Sequence, residues 1–306
     1  MVKSNLFNFG NMKQLKRTGH LQIPFGTLEL VLLTDGYFTL ETLQPTLAPK
    51  IPSQLVETEL QRLSLSTKIY QAPIIIMLIK QRNRYILIDT GEGHYDTDNA
   101  GNLTESLLLA NIDRNKITDI LITHAHRDHI GGILDADGLP NYPNATYYMA
   151  KPEFEFWMSD RPDFSKSENP EIAQTSVDLI RKTLVAIEVK LQLFEPGDQL
   201  FSCIHTESAA GHTPGHIIYT IKSDNRAITN LVDLIHSPIL VSQPHWGTQW
   251  DIDFHRAVDT RIKILDRCYR EQTLVVASHM PWPGIGFIGR KNNGKELEWI
   301  PKNSIN

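Results

Sequence analysis

Thr123-His124-Ala125-His126-Arg127-Asp128-His129, directly behind the apolar run Ile120-Leu121-Ile122, decides how the rest of this chain is read. Twelve histidines in 306 residues would mean little if scattered, but three fall between positions 124 and 129. In extended backbone, side chains two apart point the same way at a separation of about 7 Å, so His124 and His126 can converge on one ion with bonds of about 2 Å. Asp128 and His129 are adjacent and can face a neighbouring ion, while Gly131-Gly132 lets the backbone turn closely beneath and enter a helix. A single histidine reads more plainly as a surface residue, and Asp128 alone reads as a helix cap. The whole H-x-H-x-D-H pattern at a strand end points to metal.

An open sheet gathers its site at strand termini, so the remaining ligands are expected as single residues closing other apolar runs. Three places offer them. Gly211-His212-Thr213-Pro214-Gly215-His216 precedes the run 217–221, Asp233 ends the run 227–232, and His279 follows the run 274–278. Each alone is more often a turn residue. Together with the histidine cluster they describe one site.

Around this core, 41% hydrophobic and 21% charged residues describe a globular chain long enough for a large buried core. The formal charge of −5 gives no global pull toward nucleic acid or anionic lipid, so a small-molecule substrate is the expected partner, with no nucleic acid and no membrane. A homodimer is left open. Cys203 and Cys268 form no C-x-x-C pair and read as packing residues of a reducing compartment. Residues 1–26 scatter Lys3, Lys13, Lys16 and Arg17 and never build the apolar run of about 7–15 residues that a signal peptide needs, so a cytoplasmic location is expected. The longest purely apolar stretch, 73–79, is too short to cross a bilayer.

Short β-branched runs at 31–33, 74–79, 85–88, 120–122, 217–221 and 274–276 read as strands, mostly too continuous to be apolar on one face only. Strands of that kind belong to a sheet covered on both faces. Phe254, Val258, Ile262, Leu265 and Tyr269 space an amphipathic helix with Arg256 and Arg261 on its wetted side, and 171–191 reads as a second long helix. No linker divides the chain. One domain spanning 1–306 is expected, an α/β sandwich whose first sixty residues include an N-terminal extension.

The motifs H-A-H-R-D-H at 124–129, G-H-T-P-G-H at 211–216, the isolated Asp233, Ser278-His279-Met280 and Ile88-Asp89-Thr90-Gly91 occur in the order that resembles the metallo-β-lactamase fold superfamily, over about residues 30–290. The resemblance implies a four-layer αββα sandwich with a dinuclear metal centre. It implies that His124, His126 and His212 hold one metal, that Asp128, His129 and His279 hold the second, and that Asp233 bridges them. Asp89 and His216 would then stand behind the ligands and orient them. His126 stands where redox enzymes of this fold carry glutamate, His129 and Asp233 are retained where some β-lactamases lack them, and no nuclease-type basic stripe is present. The full ligand set resembles thioesterases, lactonases, arylesterases and methyl parathion hydrolase. Segments 33–38, 243–247 and 278–284 are most similar to the methyl parathion hydrolase and acyl-homoserine lactonase branch. One departure is Val232, which stands where many relatives have glycine before the bridging aspartate.

That likeness implies two divalent ions, zinc foremost with iron, manganese or cobalt as alternatives. They would activate a water near neutral pH to attack a small uncharged lactone, aryl ester or phosphotriester, with Asp128 as ligand and catalytic carboxylate together. The absence of a G-x-S-x-G elbow and of a phosphate-binding loop agrees. Trp157, Trp282 and Phe38 are expected to wall the substrate pocket, Phe154 and Phe156 less so. His20, His94, His205, His236, His245 and His255 are expected as ordinary surface or core residues. The alternatives are a glyoxalase II-like thioesterase, which would need cations for an anionic substrate, and a non-hydrolytic metal-binding or redox protein.

Overall fold

The computed structural model describes residues 15–95, 98–291 and 294–302, so Lys3 and Lys13 of the leader reading lie outside the described residues. Two seven-stranded sheets carry the molecule. The first contains β1 (Gly19–Phe25), β2 (Leu28–Leu40), β3 (Tyr70–Gln81), β4 (Arg84–Ile88), β5 (Asp119–Ile122), β6 (Thr146–Ala150) and β7 (Leu191–Phe194), side by side in chain order. Pairing is antiparallel from β1 to β4 and parallel from β4 to β7. The second contains β8 (Gln199–Leu200), β9 (Ile204–Ser208), β10 (Ile217–Ser223), β11 (Arg226–Val232), β12 (Leu274–Ala277), β13 (Ile285–Lys291) and β14 (Glu296–Pro301), again in order, with β11 and β12 the parallel pair.

The continuous apolar runs follow from what covers each face. Along β3, Ile75, Met77 and Ile79 enter the core shared with Ile217, Tyr219 and Ile221 of β10, while Ile74, Ile76 and Leu78 enter the core on the other side. Successive residues of a strand face opposite ways, so a strand covered twice must be apolar at every position. The outer layer on the first sheet comes from α2 (Leu103–Leu109), α4 (Lys151–Met158) and α6 (Val177–Ile187), through Leu103, Leu107, Trp157, Ile180 and Leu184. Ile264, Leu265 and Cys268 of α8 (Phe254–Glu271) cover the second sheet over Ile218, Leu231 and Val275. The result is the four-layer αββα sandwich.

Three expectations need correction. Residues 19–62 are no mere extension: they supply β1, β2 and α1 (Ser53–Arg62), and β2 pairs with β3 over nearly its whole length. The helix read over 171–191 is broken into α5 (Pro170–Thr175) and α6, with Ser176 between them, and Leu191 already opens β7. The buried face of that segment ends at Ile187, Val189 is 98% exposed, and Leu191 pairs with Tyr147. In α8 the buried arc is Phe254, Ala257, Arg261, Ile264, Leu265 and Cys268, one step round from the expected stripe, and it leaves Ile262 exposed.

Arg261 is therefore buried, at 1% exposure. A buried guanidinium survives only with its donors engaged. It donates to the carbonyls of Leu234 at 2.7 Å and Pro244 at 3.2 Å, and to the carboxylate of Asp251 at 3.4 Å.

The short helix α3 (Arg127–Ile130) and the turn 131–133 lie against the loop that leaves β4. Glycine is required at both positions of the turn, because a Cβ on Gly131 would stand 2.3 Å from the Glu92 carbonyl oxygen and one on Gly132 would stand 2.1 Å from that of Thr90. Thr90 reciprocates, its N–H and hydroxyl both donating to the carbonyl of His129, at 2.7 and 3.0 Å.

Two stability tests follow. Arg261→Met removes one partner of a buried ion pair and is expected to cost about 3–5 kcal/mol in urea unfolding; a loss under about 1 kcal/mol would mean the guanidinium is not needed for folding. Gly132→Ala forces backbone against backbone and is expected to cost about 1–3 kcal/mol or more by the same measurement. Wild-type stability for that variant would contradict the close approach.

Candidate metal centre

The first sheet delivers one half of the site and the second sheet the other. From the end of β5 come His124, His126, Asp128 and His129; from the loop before β10, His212; from the end of β11, Asp233; from the end of β12, His279. These seven residues, read from sequence as a set, converge at one end of the sandwich. The facing atoms of His124, His126 and His212 lie within 4.8 Å of one another, as do those of Asp128, His129, Asp233 and His279.

Asp233 stands in the middle. One carboxylate oxygen is 3.2 Å from His129 Nε2, and the other lies 3.3 Å from His279 Nε2, 3.4 Å from His212 Nε2 and 3.8 Å from His124 Nε2. Asp128 is 3.5 Å from His129 Nε2 and 3.3 Å from His279 Nε2. His126 turns Nδ1 inward, 3.2 Å from His124 Nε2.

The outward ring nitrogens are engaged by the protein, which fixes which nitrogen faces in. His129 Nδ1 meets Asp89 at 2.8 Å, His212 Nδ1 meets Asp251 at 2.9 Å, His279 Nδ1 donates to the Pro73 carbonyl at 2.8 Å and His124 Nδ1 meets the Thr123 hydroxyl at 3.0 Å. Asp89 also accepts from the Thr123 N–H and hydroxyl, at 2.9 and 2.8 Å, so it holds the ligand loop and a ligand ring together. Orientation of a ring by a partner on its far side is how proteins tune such donors.

Electrostatics set the cluster apart from ordinary core. Burial pushes His124 and His126 well below the usual imidazole range, helped by His129 beside the first and His212 beside the second. Burial alone would raise Asp233, but the imidazoles around it, His129 first, outweigh that and hold it well below the usual carboxylate range. His279 moves the other way: burial opposes its charge, yet Asp233 and Asp128 raise it to about 10. The inward Nε2 atoms of His129 and His212 and one oxygen of Asp233 are buried with no hydrogen-bond partner among the described residues. Unpartnered imidazole and carboxylate donors converging at these distances fit divalent cations.

Sequence reading missed three residues here. His236, expected as an ordinary residue, is buried in the cluster: its Nε2 is 3.2 Å from Asp233, its ring stacks on His279 at 5.3 Å, and neither ring nitrogen has a hydrogen-bond partner among the described residues. A lone histidine three positions after an aspartate gave no signal beyond that spacing. Asp251 and Glu153 were also missed. Asp251 backs His212 and accepts from the Thr248 N–H at 2.9 Å; Glu153 is fully buried behind the ligand loops. His216 is buried, its Nδ1 3.2 Å from the Ala209 carbonyl and its ring 5.1 Å from His124.

A cavity of about 420 Å³ opens onto the cluster, walled by Phe38, Leu40, Ile172 and Trp250 beside His236 and Asp128. Of the three expected wall residues, Phe38 is there, edge-on to His279 at 5.5 Å. Trp157 and Trp282 are not. Trp157 is fully buried in the helix-covered core with its indole N–H on Glu153, and Trp282 packs against the core between the sheets. Trp250 takes the place on the wall that those two were expected to fill.

Comparison with known proteins agrees with this geometry. Residues 73–230 match the model of the metallo-beta-lactamase superfamily. Among solved structures, the chain is 35% identical to AidC, a dizinc quorum-quenching lactonase in complex with the product N-hexanoyl-L-homoserine, at a TM-score of 0.89 over 94% of this chain and 99% of that one. It is 27% identical to the hydrolase AbOPH, at a TM-score of 0.85 with the same coverage. Among curated proteins it is 23% identical to the probable metallo-hydrolase YybB of Bacillus subtilis, over 68% of this chain and 80% of that one. With the ordered motifs, the αββα layers and the converging donors in hand, the chain belongs to the metallo-beta-lactamase superfamily of metallo-hydrolases.

Proposed function

We propose that the protein is a dinuclear metal-dependent hydrolase that cleaves a small, uncharged, partly apolar ester-like substrate, with a lactone foremost. Seven donors carry the reading, His124, His126 and His212 in one group and Asp128, His129, Asp233 and His279 in the other, with Asp233 also 3.4 Å from His212 Nε2. His124, His126 and His212 would hold one ion, Asp128, His129 and His279 the other, and Asp233 both. The likeness to AidC favours zinc and a lactone. Such ions, when bound, supply Lewis acidity and make water a nucleophile at neutral pH.

The chain's own residues do the rest. Asp128 is the cluster carboxylate with the most access to the cavity, its side chain 18% exposed, so it orients the attacking water and accepts its proton. As the water oxygen bonds to the acyl carbon, the bond to the leaving oxygen breaks and the proton passes from Asp128 to that oxygen. His236 offers an unpartnered ring nitrogen at the wall for a substrate oxygen. Phe38, Leu40, Ile172 and Trp250 give the non-reacting end of the substrate an apolar wall.

The wall also argues against an anionic thioester. Its one lysine or arginine among the described residues is Arg127, whose guanidinium is paired with Glu92.

Metal analysis of protein produced with zinc is expected to give about two ions per chain, and Asp233→Asn is expected to lose most of both the ions and the turnover. A wild-type protein without tightly bound metal would sink the reading. Removal of metal by a chelator is expected to lower thermal stability by the linkage amount, about 2.7 kcal/mol for ligand at a hundredfold excess over its Kd, and zinc is expected to restore it. Trp250→Ala is expected to lower kcat/KM for a long-chain lactone by about tenfold or more, the cost of about 1.4 kcal/mol of lost apolar contact, and to leave a short-chain lactone nearly unchanged. Equal losses on both substrates would remove Trp250 from the binding wall.

A further inference from the structure

Glu153, the third residue of α4, has no part in the donor cluster, yet its side chain is fully buried directly behind it. Four groups donate to its carboxylate. Oε1 accepts from the Ala125 N–H at 2.9 Å and the Trp157 indole N–H at 2.7 Å; Oε2 accepts from the Thr213 hydroxyl at 2.6 Å and the Gly215 N–H at 2.9 Å. Ala125 stands between His124 and His126, and Thr213 follows His212. One carboxylate thus ties together the two chain segments, one at the end of β5 and one before β10, that carry the three histidines of the first group.

The close fit is built in from the other side as well. A Cβ on Gly215 would stand 2.2 Å from the Glu153 backbone nitrogen and 2.5 Å from its Cα, so the ligand loop sits directly on the start of α4. Trp157, one turn further along α4, locks the carboxylate with its N–H and lies edge-on to the His126 ring at 6.3 Å. The four bonds of Glu153 end on Ala125, Trp157, Thr213 and Gly215, whereas His129 is held from behind by Asp89 and His279 by the Pro73 carbonyl.

We infer that Glu153 is a positioning residue that sets the separation of His212 from His124 and His126, and so governs the affinity and geometry of one of the two metal sites and not the other. The inference rests on the two-metal reading above. A carboxylate with four donors is filled to its capacity. Glutamine keeps the shape but turns an N–H₂ group onto two N–H or O–H donors, pushing one loop away while leaving the apolar packing intact. Loss of a group that orients metal ligands from behind typically costs about 10–100-fold in metal affinity.

The test uses the full-length protein. Wild type and Glu153→Gln are compared for zinc affinity by chelator competition, for the visible absorption of the cobalt-substituted form, and for thermal melting. Glu153→Gln is expected to melt cooperatively, to bind one of its two ions about 10–100-fold more weakly and the other within about threefold of wild type, and to change the cobalt bands of the weakened site. A variant that melts lower but keeps both affinities and the wild-type cobalt spectrum would show Glu153 to be a packing residue only and would overturn the inference. If Glu153→Gln does not fold, Thr213→Val removes one of the four bonds and leaves the carboxylate in place; it is expected to weaken the same single ion by severalfold, and unchanged affinity there overturns the inference equally. Wild-type protein that binds no zinc would instead bring down the two-metal reading itself, whatever the variants do.

Discussion

Five imidazoles and two carboxylates, most of them buried, packed against one another make a costly arrangement unless positive charge stands among them, and the rest of the fold is organised around that constraint. An unpartnered polar group in a core costs on the order of 1–3 kcal/mol, and several inward-facing atoms here have no hydrogen-bond partner among the described residues. The outward nitrogens of the same rings are engaged by Asp89, Asp251, Thr123 and the Pro73 carbonyl. A side chain satisfied behind and unsatisfied in front is held ready for something in front. Two hydrophobic sheets, each covered on its outer face, supply the rigid frame on which this can be kept.

The backbone is bent to the same end. Asp89 takes φ +65° and Val232 takes φ +50°, each at the point where a strand hands over to the site. For a β-branched residue that conformation is an outlier, and strain of this kind costs on the order of 1–3 kcal/mol per residue. It gives a physical reason for the glycine that the resemblance leads one to expect before this aspartate. Here the Val232 N–H donates to the Asn230 side chain at 3.2 Å, its carbonyl accepts from the Ser278 N–H at 3.3 Å, and its side chain is buried, so local bonds and packing hold the bend without glycine.

Much of this was legible in the sequence, and what was missed has physical reasons. The donors were readable because four of them are nearly consecutive, Asp233 and His279 each close an apolar run, and His212 sits in the Gly/Pro loop just before one. All six apolar runs lie within strands, since a strand covered on both faces writes itself as an unbroken run. Strands with a polar face, such as Glu296–Pro301, wrote no such signal. The supporting charges were invisible for a different reason: Glu153, Asp251 and Arg261 look like ordinary helix and loop residues until tertiary packing buries them. Arg261 was assigned to water because arginine usually belongs there, and only Leu234, Pro244 and Asp251 reverse that. His236 returns to the cluster through the turn closed by the Leu234 N–H on the Leu231 carbonyl, a local bend that periodicity does not encode. Trp157 and Trp282 flank the motifs in sequence, but their rings point into the core.

The aromatic wall and the donor cluster meet at Phe38 and His236, so shape selection and chemistry share one surface. On the proposed reading, the apolar residues would choose the substrate by what they bury, and the donors would act on the bond thereby brought to Asp128. The most direct check of the central claim is anomalous diffraction at the zinc edge from crystals grown with zinc. Two peaks are expected, one enclosed by His124, His126 and His212 and one by Asp128, His129 and His279, both within bonding distance of Asp233. A single peak, or peaks away from Asp233, would contradict it.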